Sequence, residues 1–204
     1  MMNSEQYYHL FNYSNGFENL FNKRNDYIFF LNKLFEYIHP VCRIFSFSLM
    51  PDQYRLVVQV RSSEELWEYF SKMENHQINK LPFFIDRLLE EKVSKAFSNM
   101  FNSYAQSYNK WNTRLGSLFR QNMRKEIIRS EEEFRNMIYS AHINPVELGL
   151  ARKVENWPFS SYHSLVDNSE TFLDKEFVLG IFGGLDLFIR YHQQLNMPEI
   201  KRVI

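Results

Sequence analysis

One stretch of this chain decides its fold: Met50-Pro51-Asp52-Gln53-Tyr54-Arg55-Leu56-Val57-Val58. Its Pro-Asp pair is typical of a tight turn, and the alternation behind it predicts a strand over Gln53 to Val60. Side chains two residues apart on a strand point the same way, so Gln53, Arg55, Val57 and Gln59 share one face. An amide and a guanidinium on one face can hold a phosphate, but they are poorly suited to hold a metal ion.

The elements on either side of this turn give a recognisable order. Further strands are predicted over Tyr7 to Tyr13, Cys42 to Leu49 and Ser117 to Ile128. Apolar residues at helical spacing predict one helix from Asp26 to Ile38 and a long one from Pro82 to Trp111. Strand, helix, strand, strand, helix, strand is the split βαβ order of an α+β, ferredoxin-like domain. We therefore expect an antiparallel four-stranded sheet with helices on one side.

Helices dominate the rest of the chain. Ser62 or Ser63 begins a short helical piece that runs through Phe70, and a polar loop is expected over residues 73–80. A capping box, Ser130 to Glu133, introduces a helix over Glu131 to Ile143 that Asn144-Pro145 should stop. Two more helices are predicted, Lys175 to Phe182 and Leu185 to Leu195. We expect one domain over residues 1–162, closed by an aromatic plug at Trp157 to Tyr162, and a helical extension over residues 163–204 packed on it.

Composition excludes several classes of protein. The chain has 204 residues, 45% of them hydrophobic, with a single cysteine and a formal net charge of zero. One cysteine excludes an intrachain disulfide and a thiolate metal cluster. Zero net charge means that any basic footprint for nucleic acid must be local. No leader pattern and no apolar run near ~20 residues is present, so we expect a cytoplasmic protein without a membrane partner.

Six segments, in this order, resemble one family, the REP-associated tyrosine transposases, which are relatives of the IS200-type single-strand transposases. The segments span most of the chain: Tyr8 to Asn12, Met50 to Leu56, Phe97 to Tyr104 with Tyr108-Asn109, Gly116 to Phe119, Asn144 to Leu150, and Trp157 to Tyr162. The resemblance implies a divalent metal held by two strand histidines and a polar helix residue. It also implies a tyrosine that attacks the scissile phosphate of single-stranded DNA.

This sequence departs from that pattern at the catalytic positions. The two histidine positions fall on Gln53 and Arg55, and the third ligand position falls on Asn144. Glutamine coordinates weakly, and arginine has no lone pair and stays cationic. The nucleophile position falls on Ser140, which has no paired base in the sequence pattern. Tyr139 is a substitute, but it lies about 100° around the helix from Ser140.

We therefore expect a transposase-like DNA-binding protein without strand-cleaving activity, and without a bound cofactor. Two alternatives stay open. One is an active transposase that uses Tyr139 or Ser140 with Mg²⁺ or Mn²⁺. The other is a protein-interaction module that has lost DNA binding. The expected partner is single-stranded or hairpin DNA, and the resemblance is compatible with a homodimer.

Candidate DNA contacts are basic or aromatic. The basic candidates are Arg55, Lys110, Arg114, Arg120, Arg124, Lys125 and Arg129. Apart from Arg55 these cluster in one stretch, which is either a groove for the DNA backbone or a solvated strand and loop. Arg55 either pairs with a phosphate or is solvated, or it pairs with a carboxylate such as Asp52. Tyr7, Tyr8 and Tyr13 could stack on unpaired bases, whereas Tyr104 and Tyr108 are expected to pack in the core. His9 and the other histidines without ligand spacing are expected to be structural or exposed. His142 lies near the former metal site but is not expected to replace a lost ligand.

Overall fold

The computed structural model describes residues 2–74 and 82–194, and it confirms the predicted α+β class. Four strands form one antiparallel sheet in the order β2-β3-β1-β4. They are β1 (Tyr7–Tyr13), β2 (Cys42–Met50), β3 (Gln53–Val60) and β4 (Arg124–Ile128). The helices are α1 (Arg24–Tyr37), α2 (Ser63–Glu74), α3 (Pro82–Trp111), α4 (Glu131–Glu147), α5 (Tyr162–Val166), α6 (Lys175–Phe182) and α7 (Leu185–Gln194). In the two described ranges every helix is too short or too polar to span a bilayer.

The two faces of the sheet differ in what covers them. Tyr54 points to the face covered by α1 and α3, where its ring lies 5.4 Å from that of Phe30 and 5.3 Å from that of Phe101. Arg55, the next residue, must point to the other face, where α4 packs on β2 and β3. Helices therefore lie on both sides of the sheet and not on one side alone. The Tyr54 face holds the aromatic core, and the Arg55 face is free to carry polar groups.

The fourth strand is shorter than the sequence predicts. Ladder pairing begins at Arg124, and residues 117–123 are irregular apart from an isolated bridge between Ser14 and Phe119. Gly116 has φ of +90° and Asn122 has φ of +67°, and left-handed backbone at both ends prevents a continuous pleat. The predicted strand over Ser117 to Ile128 is thus wrong for its first seven residues, which form a loop beside α3.

Helix α4 is longer than the sequence predicts. It continues through Asn144 and Pro145 to Glu147 and ends where the Leu148 amide donates to the Asn144 carbonyl. Pro145 cannot donate to the Ala141 carbonyl, and its ring crowds that carbonyl, but only two helical residues follow it, so the disturbance falls in the last turn of α4. Asn144 is therefore a helical residue, on the same regular surface as Ser140.

Other helix ends shift by a few residues. Helix α1 begins at Arg24, because the Asp26 carboxylate accepts from the amides of Asn22 and Lys23 at 2.8 and 3.0 Å. Ser62 caps α2, which reaches Glu74, beyond the predicted end at Phe70. The predicted loop over residues 73–80 falls mostly outside the described residues, as does Leu195.

The aromatic segment before α5 ties the α1 side of the molecule to β2. Phe159 stacks on Tyr27 with ring centroids 3.7 Å apart, and the Trp157 indole donates to the Leu49 carbonyl at 2.9 Å. Tyr104 and Tyr108 are buried in the core beneath α3, and their hydroxyls donate to loop carbonyls. These tyrosines pack, as expected, and are not available to bases.

Candidate nucleic-acid interface

Arg55 and Asn144 meet on the α4 face of the sheet. The Arg55 Nε donates to the Asn144 Oδ1 at 3.1 Å, and the guanidinium carbon lies 5.5 Å from the centroid of the Phe11 ring. Neither outer nitrogen of Arg55 donates a hydrogen bond within the described ranges. The alternative pairing of Arg55 with Asp52 does not occur. The guanidinium is thus held by one edge and one face, and its other edge is available to a ligand.

Several buried polar atoms surround this pair on the same face. Ser48 lies opposite Arg55 across the β2–β3 ladder, and Ser46 lies opposite Val57. Both hydroxyls and the Oε1 of Gln53, which is only 6% exposed, are buried without a hydrogen-bond partner. Each such atom costs about 1–3 kcal/mol of stability unless a partner satisfies it. Among the described residues, no three His, Cys, Asp or Glu side chains come together as metal ligands.

A histidine that sequence reasoning had treated as structural or exposed belongs to the same face. His9 lies directly opposite Glu126, and its Nδ1 is 2.9 Å from a carboxylate oxygen of that residue. Because the carboxylate accepts, Nδ1 carries the proton and the buried Nε2 is left as an unpartnered acceptor. Burial lowers the pKa of His9; the hydrogen bond to Glu126 opposes this shift, and the charge of Arg55 adds to it. His9 is therefore neutral near pH ~7.

Three rings on β1 form what we call the aromatic row: His9, Phe11 and Tyr13. His9 stacks on Phe11 with centroids 5.0 Å apart, and Phe11 meets Tyr13 edge-on at 6.1 Å. The other two tyrosines proposed for base stacking are occupied. Tyr8 is buried, and Tyr7 packs on Phe45 and Phe134. Tyr13 alone of the three lies where a base could reach it.

A second arginine lies on the aromatic row. The guanidinium carbon of Arg120 is 5.2 Å from the Tyr13 centroid, and its Nε donates to the Ser14 carbonyl at 3.3 Å. Its outer nitrogens make no hydrogen bond in the described part of the chain. Arg55 and Arg120, which we call the arginine pair, therefore sit on neighbouring rings, roughly 7 Å apart along β1. Arg124 is exposed on the same face, because it lies opposite Phe11 on β4.

The remaining basic candidates have different surroundings. Arg114 is bound to Glu18, to the Asn109 amide and to the carbonyls of Gly116 and Ser117, so it stabilises the loop before β4. Lys110 and Arg129 are exposed at the ends of α3 and β4. Lys125 alternates with Arg124 and so points to the α3 side of the sheet.

The two nucleophile candidates are arranged unfavourably for attack. Ser140 is half-buried one turn before Asn144, and its hydroxyl makes no hydrogen bond within the described ranges. Tyr139 packs on α7, with its ring 5.8 Å from that of Tyr191 and 5.5 Å from that of His192. Burial raises the pKa of Tyr139, which lowers its fraction of reactive phenolate. Tyr139 thus points away from Arg55 and Asn144.

His142 belongs to a sealed hydrogen-bond chain, the histidine chain, formed by Ser161, His142 and His192. The His142 Nε2 lies 2.7 Å from the Ser161 Oγ, and its Nδ1 lies 2.9 Å from the His192 Nε2. The Ser161 Oγ accepts from the Phe47 amide at 2.9 Å, and the His192 Nδ1 donates to the Phe188 carbonyl at 2.8 Å.

The two ends of the histidine chain fix every proton in it. Because a carbonyl only accepts, His192 carries its proton on Nδ1, and its Nε2 accepts from the Nδ1 of His142. His142 then accepts at Nε2 from the Ser161 hydroxyl. Burial, with a contribution from His192, lowers the pKa of His142 well below its usual range, and burial lowers the pKa of His192 to about 4. Both histidines are neutral, and neither has a nitrogen left for a ligand.

Comparisons with known proteins show the fold relationship. No protein-family model and no curated protein matches this sequence. Among solved structures, the chain is similar to a REP-associated tyrosine transposase bound to a REP hairpin, with a TM-score of 0.53 and 14% identity. The similarity covers 85% of this chain and 90% of that one. At this identity the likeness is one of fold, and it agrees with the architecture that the sequence predicts.

Proposed function

We propose that this chain is a transposase-like protein that binds single-stranded or hairpin DNA without cleaving it. One observation carries the proposal: Arg55 stands where the family resemblance expects a metal ligand, with Asn144 on one edge and the other edge available. The solved structure that shares the fold contains a REP hairpin, which supports DNA as the partner. The proposal places the protein in the cytoplasm, needs no cofactor and is compatible with a homodimer.

The geometry around Arg55 suits a phosphate. A guanidinium donates two parallel hydrogen bonds to a phosphate, and these charge-assisted bonds are stronger than neutral ones. Asn144 and Phe11 already hold Arg55 in place, so little side-chain freedom is lost on binding. Arg120 and Arg124 add positive charge on the same face. The arginine pair thus supplies fixed charge along one strand of the sheet.

The same residues do not fit a divalent cation. A cation at this site would lie against the guanidinium of Arg55, which cannot coordinate it and repels it. The amide oxygen of Asn144 accepts from Arg55, and the amide nitrogen donates to the Glu147 carboxylate at 3.4 Å. Ser140 lacks a base, and Tyr139 packs on α7. These features support binding without transfer of the phosphate to the protein.

The test is DNA affinity measured by fluorescence anisotropy against salt concentration, with a labelled hairpin that carries a single-stranded tail. We expect Arg55→Ala to weaken binding about tenfold and to reduce the salt slope by about 1. Arg55→Lys should keep the slope and lose part of the affinity, because it retains charge but not the two-pronged contact. Arg152→Ala, an exposed arginine after α4, serves as the control. Unchanged affinity in Arg55→Ala would show that this arginine does not hold DNA.

Two outcomes separate the alternatives. A covalent protein–DNA adduct that survives denaturation, formed with Mg²⁺ or Mn²⁺, would identify an active transposase that uses Tyr139 or Ser140. No salt-dependent binding to hairpin or single-stranded DNA would favour the protein-interaction module. Residues 163–194, the described part of the predicted extension, belong to the proposal as a region that stabilises α4, since His192 and the Ile181 carbonyl both contact that helix.

A further inference from the structure

A groove of about 990 Å³ runs between α3 and the irregular segment 116–123 before β4. It lies at the edge of the sheet, on the side opposite Arg55. The bonds that shape it come from one set of amides: Asn12, Asn15 and Asn109 donate to the carbonyls of Arg120, Ser117 and Gly116. Asn12 and Asn15 tie the segment to β1 and to the turn after it, and Asn109 ties its start to the end of α3, so the groove is a built feature of the fold.

A second set of amides lines the groove and takes no part in building it. Asn102 and Gln106 lie four residues apart on α3 and so share one face of the helix. Gln121 and Asn122 line the facing wall. All four are exposed, and none of their side-chain amides makes a hydrogen bond within residues 2–74 and 82–194. Both walls therefore present donors and acceptors that are available to a ligand.

Aromatic rings line the groove beside these amides. Phe101 and Phe119 lie at its surface, half-buried, with ring centroids 5.2 Å apart. Partly exposed aromatic surface together with uncharged amides matches an unpaired nucleobase, which has an apolar face and a polar edge. Asn and Gln pair best with the adenine edge, where one amide both donates and accepts.

Arg120 joins this groove to the interface described above. The residue lines the groove, while its guanidinium lies on Tyr13, the ring next to Phe11 in the aromatic row, and Arg55 lies on Phe11. A DNA strand whose phosphates contact the arginine pair is thereby directed over the sheet edge into the groove.

We propose that this groove is a base-recognition site. It receives unpaired bases, adenine above all, and Asn102 and Gln106 contact their edges. The inference rests on the proposed function, because it concerns the same DNA strand. It assigns the phosphates to the arginine pair and the bases to the amides.

The experiment compares one hairpin with two tails, an oligo-dA tail and an abasic tail of the same length. The double variant Asn102→Ala with Gln106→Ala should bind the oligo-dA tail about tenfold more weakly. Its affinity for the abasic tail and its salt slope should not change, because no charge is removed. Gln121→Ala on the opposite wall should show the same pattern. Asn99→Ala, an exposed asparagine on α3 outside the groove, is the matched control.

The outcomes separate this inference from the function on which it rests. If the wild-type protein binds both tails equally, or if the double variant loses affinity for both, the groove does not recognise bases and the arginine interface still stands. If the protein binds no DNA in a salt-dependent way, the proposed function fails and the base site fails with it. Thermal unfolding of each variant checks that the exposed substitutions leave the fold intact.

Discussion

His142 and Asn144 lie two residues apart on α4, but one side chain is part of a structural network and the other lies in the candidate binding site. His142 is fully buried in the histidine chain, where every nitrogen and hydroxyl has a partner. Asn144 faces the sheet beside Arg55, among buried polar atoms that have none. A satisfied buried network stabilises a fold, whereas each unsatisfied buried group costs stability. The same helix thus separates a structural region from a candidate binding region within one turn.

The largest effect is expected when His142, the structural residue of the two, is removed. His142→Ala takes away the centre of the histidine chain, leaves the Ser161 hydroxyl proton and the His192 Nε2 without partners, and opens a cavity between α4 and α7. We expect the free energy of unfolding to fall by about 2–5 kcal/mol, measured by chemical denaturation. His163→Ala, a partly exposed histidine on α5, should change it far less. Equal losses of stability in the two variants would show that the histidine chain does not stabilise the fold.

The next largest effect is a loss of folding stability at acidic pH, caused by the histidine chain. In the folded state the pKa of His192 is lowered to about 4, and that of His142 is also lowered, so the unfolded state binds more protons below about pH 6.5. The histidine chain therefore contributes its full stabilisation above about pH 6.5, and this contribution falls as the pH drops toward about 4. The slope is at most about 1.4 kcal/mol per pH unit for each proton. Tyr139 and Tyr162, which face the chain, have pKa values raised by burial and do not titrate in this range.

The measurement is the free energy of unfolding against pH for the wild type and for His142→Ala. Burial also lowers the pKa values of His9 and His39, so some acid sensitivity should remain in the variant. The difference between the two curves isolates the histidine chain. Parallel curves would mean that protonation of other groups causes the whole effect.

The sequence predicts those features of the structure that local residue patterns determine. Alternation places Arg55 on one face of β3, and helical spacing puts Ser140 and Asn144 on one face of α4, so their approach to the sheet could be anticipated. The end of α4 was missed because Asn144-Pro145 is typical of a helix stop, whereas this helix continues through both residues to Glu147. The beginning of β4 was missed because left-handed backbone at Gly116 and Asn122 interrupts an otherwise suitable pattern.

The missed parts of the candidate site depend on long-range pairing. His9 meets Glu126 only because β1 and β4 are in one register, and nothing local to either residue reveals it. Arg120 reaches Tyr13 from the irregular segment that had been predicted as a strand. His142 and His192 are fifty residues apart, and the two helices meet through tertiary packing alone. Strand alternation and helix spacing predict which face of an element a side chain lies on. They do not predict which residue of another element it contacts, because that depends on how the sheet assembles.

The smallest effect is expected at Asn144, the residue of the two that lies in the candidate binding region. Asn144→Ala removes the amide that holds the Nε of Arg55, and it leaves the charge of Arg55 in place. We expect a weaker DNA affinity, by about threefold, because one hydrogen bond contributes roughly 0.5–1.5 kcal/mol. The salt slope should stay at the wild-type value, which a lost phosphate contact would not allow.

The unfolding free energy of Asn144→Ala decides which role the residue has. Asn144 is half-buried near the end of α4, and alanine suits a helix, so this variant should lose less than about 1 kcal/mol. His142→Ala on the same helix should show the reverse pattern, with a large loss of stability and no direct loss of a DNA contact. If Asn144→Ala unfolded as readily as His142→Ala while binding DNA normally, Asn144 would belong to the structural region. Arg55 would then be positioned by Phe11 alone.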